Sequence, residues 1–247
     1  MVDAALRSQV RQWIVEAPRI TVLSGAGMSA ESGVPTFRDA LTGLWARFNP
    51  EELATETAFR AHPQRVWAWY AHRREALAQV QPNAGHCALA AFALRHPGRL
   101  TLITQNVDGL HQRAGLADTI ALHGSLLDDH WLDLPRTCCH TEPIQSGEPP
   151  SCPVCGNQRR PSVVWFGESL PGPAFAAAEA AAQDCDLMLV VGTSGVVYPA
   201  AGLAFTAHQR GARVVIVNPE PSDLDAVADA CLREPAAQCL PHLLENS

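Results

Sequence analysis

The chain has 247 residues, 47% hydrophobic and 17% charged, with a formal net charge of −7 at pH 7. That length suits one large α/β domain, or one carrying a small insert, and no apolar run of about 18 residues is available to span a membrane. The acidic balance argues against binding a phosphate backbone, which needs a basic face, so neither a nucleic-acid nor a membrane partner is expected. The opening Met1-Val2-Asp3-Ala4-Ala5-Leu6-Arg7 has neither a signal nor a transit pattern, which makes the cytoplasm the expected location. In that compartment the eight cysteines read as buried or metal-bound thiols rather than disulfides.

Spacing predicts a helix over residues 4–17, followed by a buried strand at 19–23, Arg19-Ile20-Thr21-Val22-Leu23. Next comes Ser24-Gly25-Ala26-Gly27-Met28-Ser29-Ala30-Glu31-Ser32-Gly33. A G-x-G just after a strand lets the backbone turn tightly and approach a pyrophosphate. The third glycine of a dinucleotide fingerprint is replaced by Ala30, a substitution the pattern tolerates. Pro35-Thr36-Phe37-Arg38-Asp39 then interrupts the path to the second-strand acid of a dehydrogenase. Residues 51–80 read as helical with a break near Pro63, and Asn83 caps a helix running to Arg95. A second strand is predicted at 99–104 and a loop-rich insert at 124–162. An alanine-dense helix at 174–182 precedes a strand at 186–192, and a helix at 200–210 precedes a strand at 213–218.

Near-continuous apolar strands alternating with helices imply a parallel, doubly covered sheet with ligands gathered at the strand C-termini. Those ends read Ser24-Gly25, Thr104-Gln105-Asn106, Gly192-Thr193-Ser194 and Asn218-Pro219-Glu220. All are polar, and none has the character of packing. Gln105, Asn106 and Asp108 place two amides and a carboxylate at one strand end, although Asn and Asp-Gly also favour simple turns. His123, before Gly124, reads by itself more often as a structural residue than as a base.

In series these segments resemble the sirtuin family, NAD-dependent protein lysine deacylases, over nearly the whole chain. The motifs are Gly25-Ala26-Gly27-x-Ser29-x-x-Ser32-Gly33-Val34-Pro35-x-Phe37-Arg38, Thr104 to His111, His123-Gly124, Val163 to Glu168, Gly192-Thr193-Ser194 and Asn218-Pro219-Glu220. The resemblance implies a Rossmann-like domain of residues 1–40, 84–123 and 163–247, with a small domain of 41–83 and 124–162. NAD would be consumed as a co-substrate. Gly25, Ala26, Gly27 and Ser29 would hold its phosphates, Phe37 and Arg38 its nicotinamide ribose. Gln105, Asn106 and Asp108 would orient nicotinamide, with Asn106 and His123 catalytic. Gly192, Thr193, Ser194, Asn218, Glu220 and Ala236 would take the adenosine half, while Val163, Phe166, Gly167 and Glu168 would lie beside an acylated lysine of a protein substrate.

The resemblance further implies an acyl preference. Tyr70 and Arg73, three apart on a helix, share a face, and on a generic helix they would simply pack and solvate. In the sirtuin subgroup that removes acidic acyl groups such a pair grips the distal carboxylate beside a small residue matching Ala54, which suits the forked, charged guanidinium. Succinyl and malonyl groups are therefore expected substrates, with acetyl retained. The family's zinc ribbon is altered here. Cys152 and Cys155 form the second pair, but Trp131 and Leu134 stand where the first is expected. Two of Cys138, Cys139 and His140 are left to complete a tetrahedral set, with Cys138 and Cys139 the candidates. A mono-ADP-ribosyltransferase or a non-catalytic NAD-binding sensor are the alternative readings.

Overall fold

The apolar pentads become the middle of a six-stranded, wholly parallel sheet. The computed structural model describes residues 4–35, 53–140 and 149–245, so Phe37 and Arg38 lie outside the described residues. Strands β1 (Ile20–Ser24), β2 (Leu100–Thr104), β3 (Ile120–Ala121), β6 (Leu187–Val191), β7 (Arg213–Val217) and β8 (Ala230–Leu232) lie in the order β3-β2-β1-β6-β7-β8. Every residue of β1 and β6 is buried, as expected of strands covered on both faces. The sheet reverses direction between these two, with Ser24 opposite Val191 on one side and Thr104 on the other. Open α/β sheets bind their ligands in the crevice at such a reversal.

On one face α1 (Ala4–Glu16), α5 (Ala84–Arg95) and α9 (Ala236–Leu244) pack Val10, Ile14, Leu89, Phe92, Leu240 and Leu243 onto the strands. On the other, α7 (Gly172–Asp184) and α8 (Gly202–Gln209) approach through Ala178, Ala182, Ala204 and Ala207, small side chains that let helix backbones come close. Asn83 caps α5 as expected, accepting from the amides of Gly85 and His86, a contribution of about 1 kcal/mol.

Among the described residues three more helices lie between β1 and α5, namely α2 (Gly27–Ala30), α3 (Glu56–Ala61) and α4 (Pro63–Ala78), and α6 (Leu110–Arg113) follows β2. Pro63 is the first residue of α4, where its missing amide costs nothing, so the break falls at His62. The insert is less irregular than expected. It opens with β4 (Gly124–Trp131), paired antiparallel with β5 (Arg159–Val163). A third apolar cluster joins Phe59, Val66, Trp69 and Tyr70 of the helices to Leu126, Val163 and Trp165. Arg74 reinforces that junction, donating to the carbonyl of Leu126 at 2.6 Å and to Asp129. Among the described residues no helix is long and apolar enough to cross a membrane.

Candidate active site

The crevice floor is built from backbone. The amide of Gly25 donates to the carbonyl of Val191 at 2.9 Å, and that of Gly27 to Gly192 at 2.8 Å, so the loops after β1 and β6 zip together. A Cβ on Gly27 would fall 2.8 Å from Gly192 Cα, and one on Gly192, whose φ is +62°, only 2.2 Å from the Met28 amide nitrogen. Glycine is required at both places by contact distance, and at Gly192 by conformation as well. Ala26 is left exposed at the loop tip.

Above this floor the motifs after β1, β2 and β6 meet. Ser29 Oγ donates to Asp108 Oδ2 at 2.7 Å and accepts from Asn106 Nδ2 at 3.2 Å. Asp108 Oδ1 takes the amide of Leu110 at 2.9 Å, and Gln105 Nε2 reaches Thr193 Oγ1 at 3.3 Å. His86 completes the cluster. Its Nδ1 faces the amide of Asn83 at 3.3 Å and must accept there, so Nε2 carries the proton and lies 3.5 Å from Ser29 Oγ. Burial drives His86 to a pKa of about 4, with Asp108 opposing. His111, its ring 4.7 Å away and bonded to Ser24 Oγ at 2.9 Å, is pushed by burial and by His86 to about 3. Both imidazoles are therefore neutral at pH 7.

His123 is half-buried beyond β3. Its Nδ1 lies 2.9 Å from the Gln105 carbonyl; a carbonyl only accepts, so the proton sits on Nδ1 and Nε2 is a free acceptor. Burial holds its pKa below the ordinary value, with the Gln105 carbonyl partly opposing. His123 is thus neutral at pH 7, with an unprotonated Nε2. Its own carbonyl accepts from the amide of Val164 at 2.9 Å, and the amide of Phe166 donates to the Ala54 carbonyl at 2.9 Å, tying the segment after β5 to the loop after β3 and to the stretch before α3. Phe166 and Gly167 are exposed there, while Val163 is buried against β4.

Beside Ala54 stands a cluster of donors. Tyr70 is 2% exposed and accepts from Trp165 Nε1 at 2.9 Å. Burial raises its phenol to about 12. The Arg73 guanidinium lies 5.0 Å from the Trp69 ring centroid and 5.6 Å from that of Tyr70. Burial pulls Arg73 below its usual range, opposed by Tyr70 and Asp108, yet a guanidinium stays charged. Among the described residues it has no hydrogen-bonding acceptor, and the buried indole nitrogen of Trp69 has none either.

Several expected site residues are engaged elsewhere. Glu168 binds Arg160 through both oxygens and accepts the Trp165 amide at 2.8 Å, so it braces the segment from within. Asn218 Nδ2 is turned to the carbonyl of Glu220 at 2.7 Å, and the Glu220 side chain is exposed. Ala236 is buried against Gly85, whereas Ser194 lines the loop after Thr193, accepting from the Asp223 amide. His86, which belongs to none of the motifs, is the main addition; its one signal is its place three residues after the cap Asn83. Cys87 proves exposed and Cys231 partly so, whereas Cys185 and Cys239 are the small buried hydrophobes expected.

The insert gathers Cys138, Cys139, Cys152 and Cys155, whose sulfurs all lie within 4.8 Å of one another. The first pair succeeds without a C-x-x-C because Thr137–His140 is a 3₁₀ turn, tight enough to deliver neighbouring thiols. The Cys155 and Val154 amides draw the Cys152 thiol down to about 7. Four thiolates at the Zn–S length imply sulfurs about 3.8 Å apart, so the set fits zinc. All four positions being filled by protein, such a metal would be structural.

A doubly wound sheet with a glycine loop at its reversal defines a dinucleotide-binding protein of Rossmann type. The profile of the Sir2 family matches residues 25–199. An NAD-dependent protein deacylase of Ralstonia nicotianae is 59% identical, the match covering 98% of this chain and 97% of that one. One from Mycolicibacterium paratuberculosis is 51% identical over 92% and 97%. A solved Sir2 homologue in complex with NAD superposes with a TM-score of 0.85 at 41% identity, covering 99% of this chain and 93% of its own. A Sir2 structure bound to acetylated peptide gives 0.82 at 28% identity, covering 96% and 97%. The chain belongs to the Sir2 family, and as such it is an NAD-dependent protein deacylase.

Proposed function

We propose that this deacylase removes acidic acyl groups, succinyl and malonyl, from protein lysines, and acetyl groups as well, releasing nicotinamide and an O-acyl-ADP-ribose. The observation that carries the reading is Arg73, a half-buried guanidinium for which no hydrogen-bond acceptor is found among the described residues, set beside Tyr70, which shares one apolar cluster with Ala54. Even a partly buried charge gains from a partner; a ligand carboxylate would supply one through charge-assisted bonds.

Gly25, Ala26, Gly27 and Ser29 would hold the NAD phosphates. Gly192, Thr193, Ser194, Asn218, Glu220 and Ala236 would hold the adenosine half, and Gln105, Asn106 and Asp108 the nicotinamide end, with Phe37 and Arg38 over its ribose. Bound NAD supplies an electrophilic ribose carbon that exchanges nicotinamide for the acyl oxygen of the lysine. His123 takes the proton from a ribose hydroxyl at Nε2, the nitrogen its Gln105 contact leaves free; that oxygen bonds to the acyl carbon, and water completes the reaction by releasing free lysine. Asn106, anchored on Ser29, orients the reacting end. The substrate backbone would add as a strand beside Val163, Phe166, Gly167 and Glu168, in a cleft between the Rossmann-like domain and a small domain of residues 41–83 and 124–162.

Incubating the protein with NAD and succinyl-, malonyl- or acetyl-lysine peptides, then weighing the products, tests this. Acidic acyl peptides should turn over faster than acetyl ones and yield the matching O-acyl-ADP-ribose. Faster acetyl turnover, or ADP-ribose attached to peptide, overturns it.

A further inference from the structure

We propose that Trp165 is a positioning residue for acyl choice: its indole N–H occupies the acceptor side of the Tyr70 hydroxyl, which leaves Tyr70 to act on the ligand only as a donor. The inference rests on the acidic-acyl reading of Tyr70 and Arg73.

A tyrosine hydroxyl can donate or accept, and in an open pocket it would serve either kind of ligand. Here Trp165 Nε1, which can only donate, lies 2.9 Å from the Tyr70 oxygen in a buried contact. The single hydroxyl proton must therefore point away from Trp165. Arg73 offers N–H groups alone, and so does the unpartnered indole of Trp69. The side chains around the acyl terminus thus form a set of donors. An ionised carboxylate, which only accepts, satisfies such a set. A primary amide of the same shape brings two N–H groups that find no acceptor.

The indole is held firmly enough to enforce this. The Arg160 guanidinium lies 3.4 Å from its ring centroid, and Phe59 packs at 5.4 Å. Arg160 is fixed in turn by Glu168 through both oxygens and by the Val163 carbonyl at 2.8 Å. The same Glu168 accepts the backbone amide of Trp165 at 2.8 Å. Trp165 is 2% exposed, and the residue after it, Phe166, is bonded to Ala54 at the pocket wall. A bland core tryptophan would need no such clamp on both its ring and its amide.

The test compares three peptides on the full chain with NAD: succinyl-lysine, its terminal-amide analogue (succinamoyl-lysine) and acetyl-lysine. The wild type should favour succinyl over succinamoyl. Trp165→Phe keeps a ring and removes the N–H, so Tyr70 becomes free to accept, and the succinyl-to-succinamoyl ratio of kcat/KM should fall about tenfold. Tyr70→Phe should lower the ratio similarly, and Trp165→Phe with Tyr70→Phe should lower it no further. If Trp165→Phe does not fold, benzothienyl-alanine at position 165 keeps the bicycle and replaces N–H by sulfur, with the same ratio as readout. A uniform loss on all three peptides, with the ratio constant, means that Trp165 only supports the fold and overturns the proposal. Additive effects of the two substitutions do the same. The parent reading has its own check: if Arg73→Met lowers succinyl and acetyl turnover equally, the acidic-acyl assignment fails, whatever position 165 does.

Discussion

The crevice at the sheet reversal and the side-chain cluster beside Ala54 solve opposite problems. In the crevice nearly every polar side chain is already spoken for: Ser29, Asn106, Asp108, Gln105 and Thr193 bond to one another, and the glycines let two loops touch through backbone. In the cluster the Trp69 indole is an unspent donor, Arg73 has no hydrogen-bond acceptor among the described residues, and Tyr70 is bonded to Trp165. A saturated cluster fixes geometry for a co-substrate whose shape never changes. An unsaturated one discriminates among ligands, because only a ligand of the right chemistry completes it.

The contrast can be broken at either end. The largest effect is expected from His123→Ala, which should cut kcat by a hundredfold or more, about what a positioned general base contributes, while NAD binding by calorimetry stays near wild type. Because burial holds His123 below its ordinary value, the acid limb of kcat/KM should lie below pH 6.5, with a plateau through neutrality; activity rising steeply between pH 7 and 8 would contradict the assignment. Next comes the pocket. Arg73→Met should reduce desuccinylation by about ten- to a hundredfold, the range of a charge-assisted bond, and deacetylation far less, as measured with paired peptides.

Stability gives a smaller test of the saturated side. His86 and His111 titrate near 4 and 3 in the fold against about 6.5 unfolded. The unfolded chain then binds more protons between those values, so stability is complete above pH 6.5 and drains away as pH falls toward 4. Urea midpoints at pH 7.5 and 5.0 should differ accordingly, and an unchanged midpoint would mean that neither ring is buried as described. Smallest for catalysis is the insert. Cys152→Ser should strip zinc from the purified protein by elemental analysis and lower Tm by about 5 °C, with the succinyl-to-acetyl ratio intact.

Much of this was legible in the residues because it is local. Continuous apolar pentads such as Leu187–Val191 announce a strand buried on both faces, and Tyr70 and Arg73 announce a shared helix face by their spacing alone. What stayed hidden depends on contacts between distant segments. Trp165 and Tyr70 are 95 residues apart, and no periodicity links them. The vicinal Cys138–Cys139 pair looks defective until the 3₁₀ turn shows both thiols facing Cys152 and Cys155. Strands β3 and β8, two and three residues long, leave too little pattern to read, and Pro241 inside α9 masks a helix.

The meeting of Gly27 and Gly192 also bears on how such chains diverge. With 2.2 Å between a Cβ at position 192 and the Met28 nitrogen, no side chain of any chemistry fits, so this position cannot drift while the two loops keep their spacing. Tyr70, Arg73 and Trp165 face no such veto. On the proposed reading of these side chains, selection can retune which acyl group is removed by editing them, while the glycine seam passes unchanged from one specificity to the next.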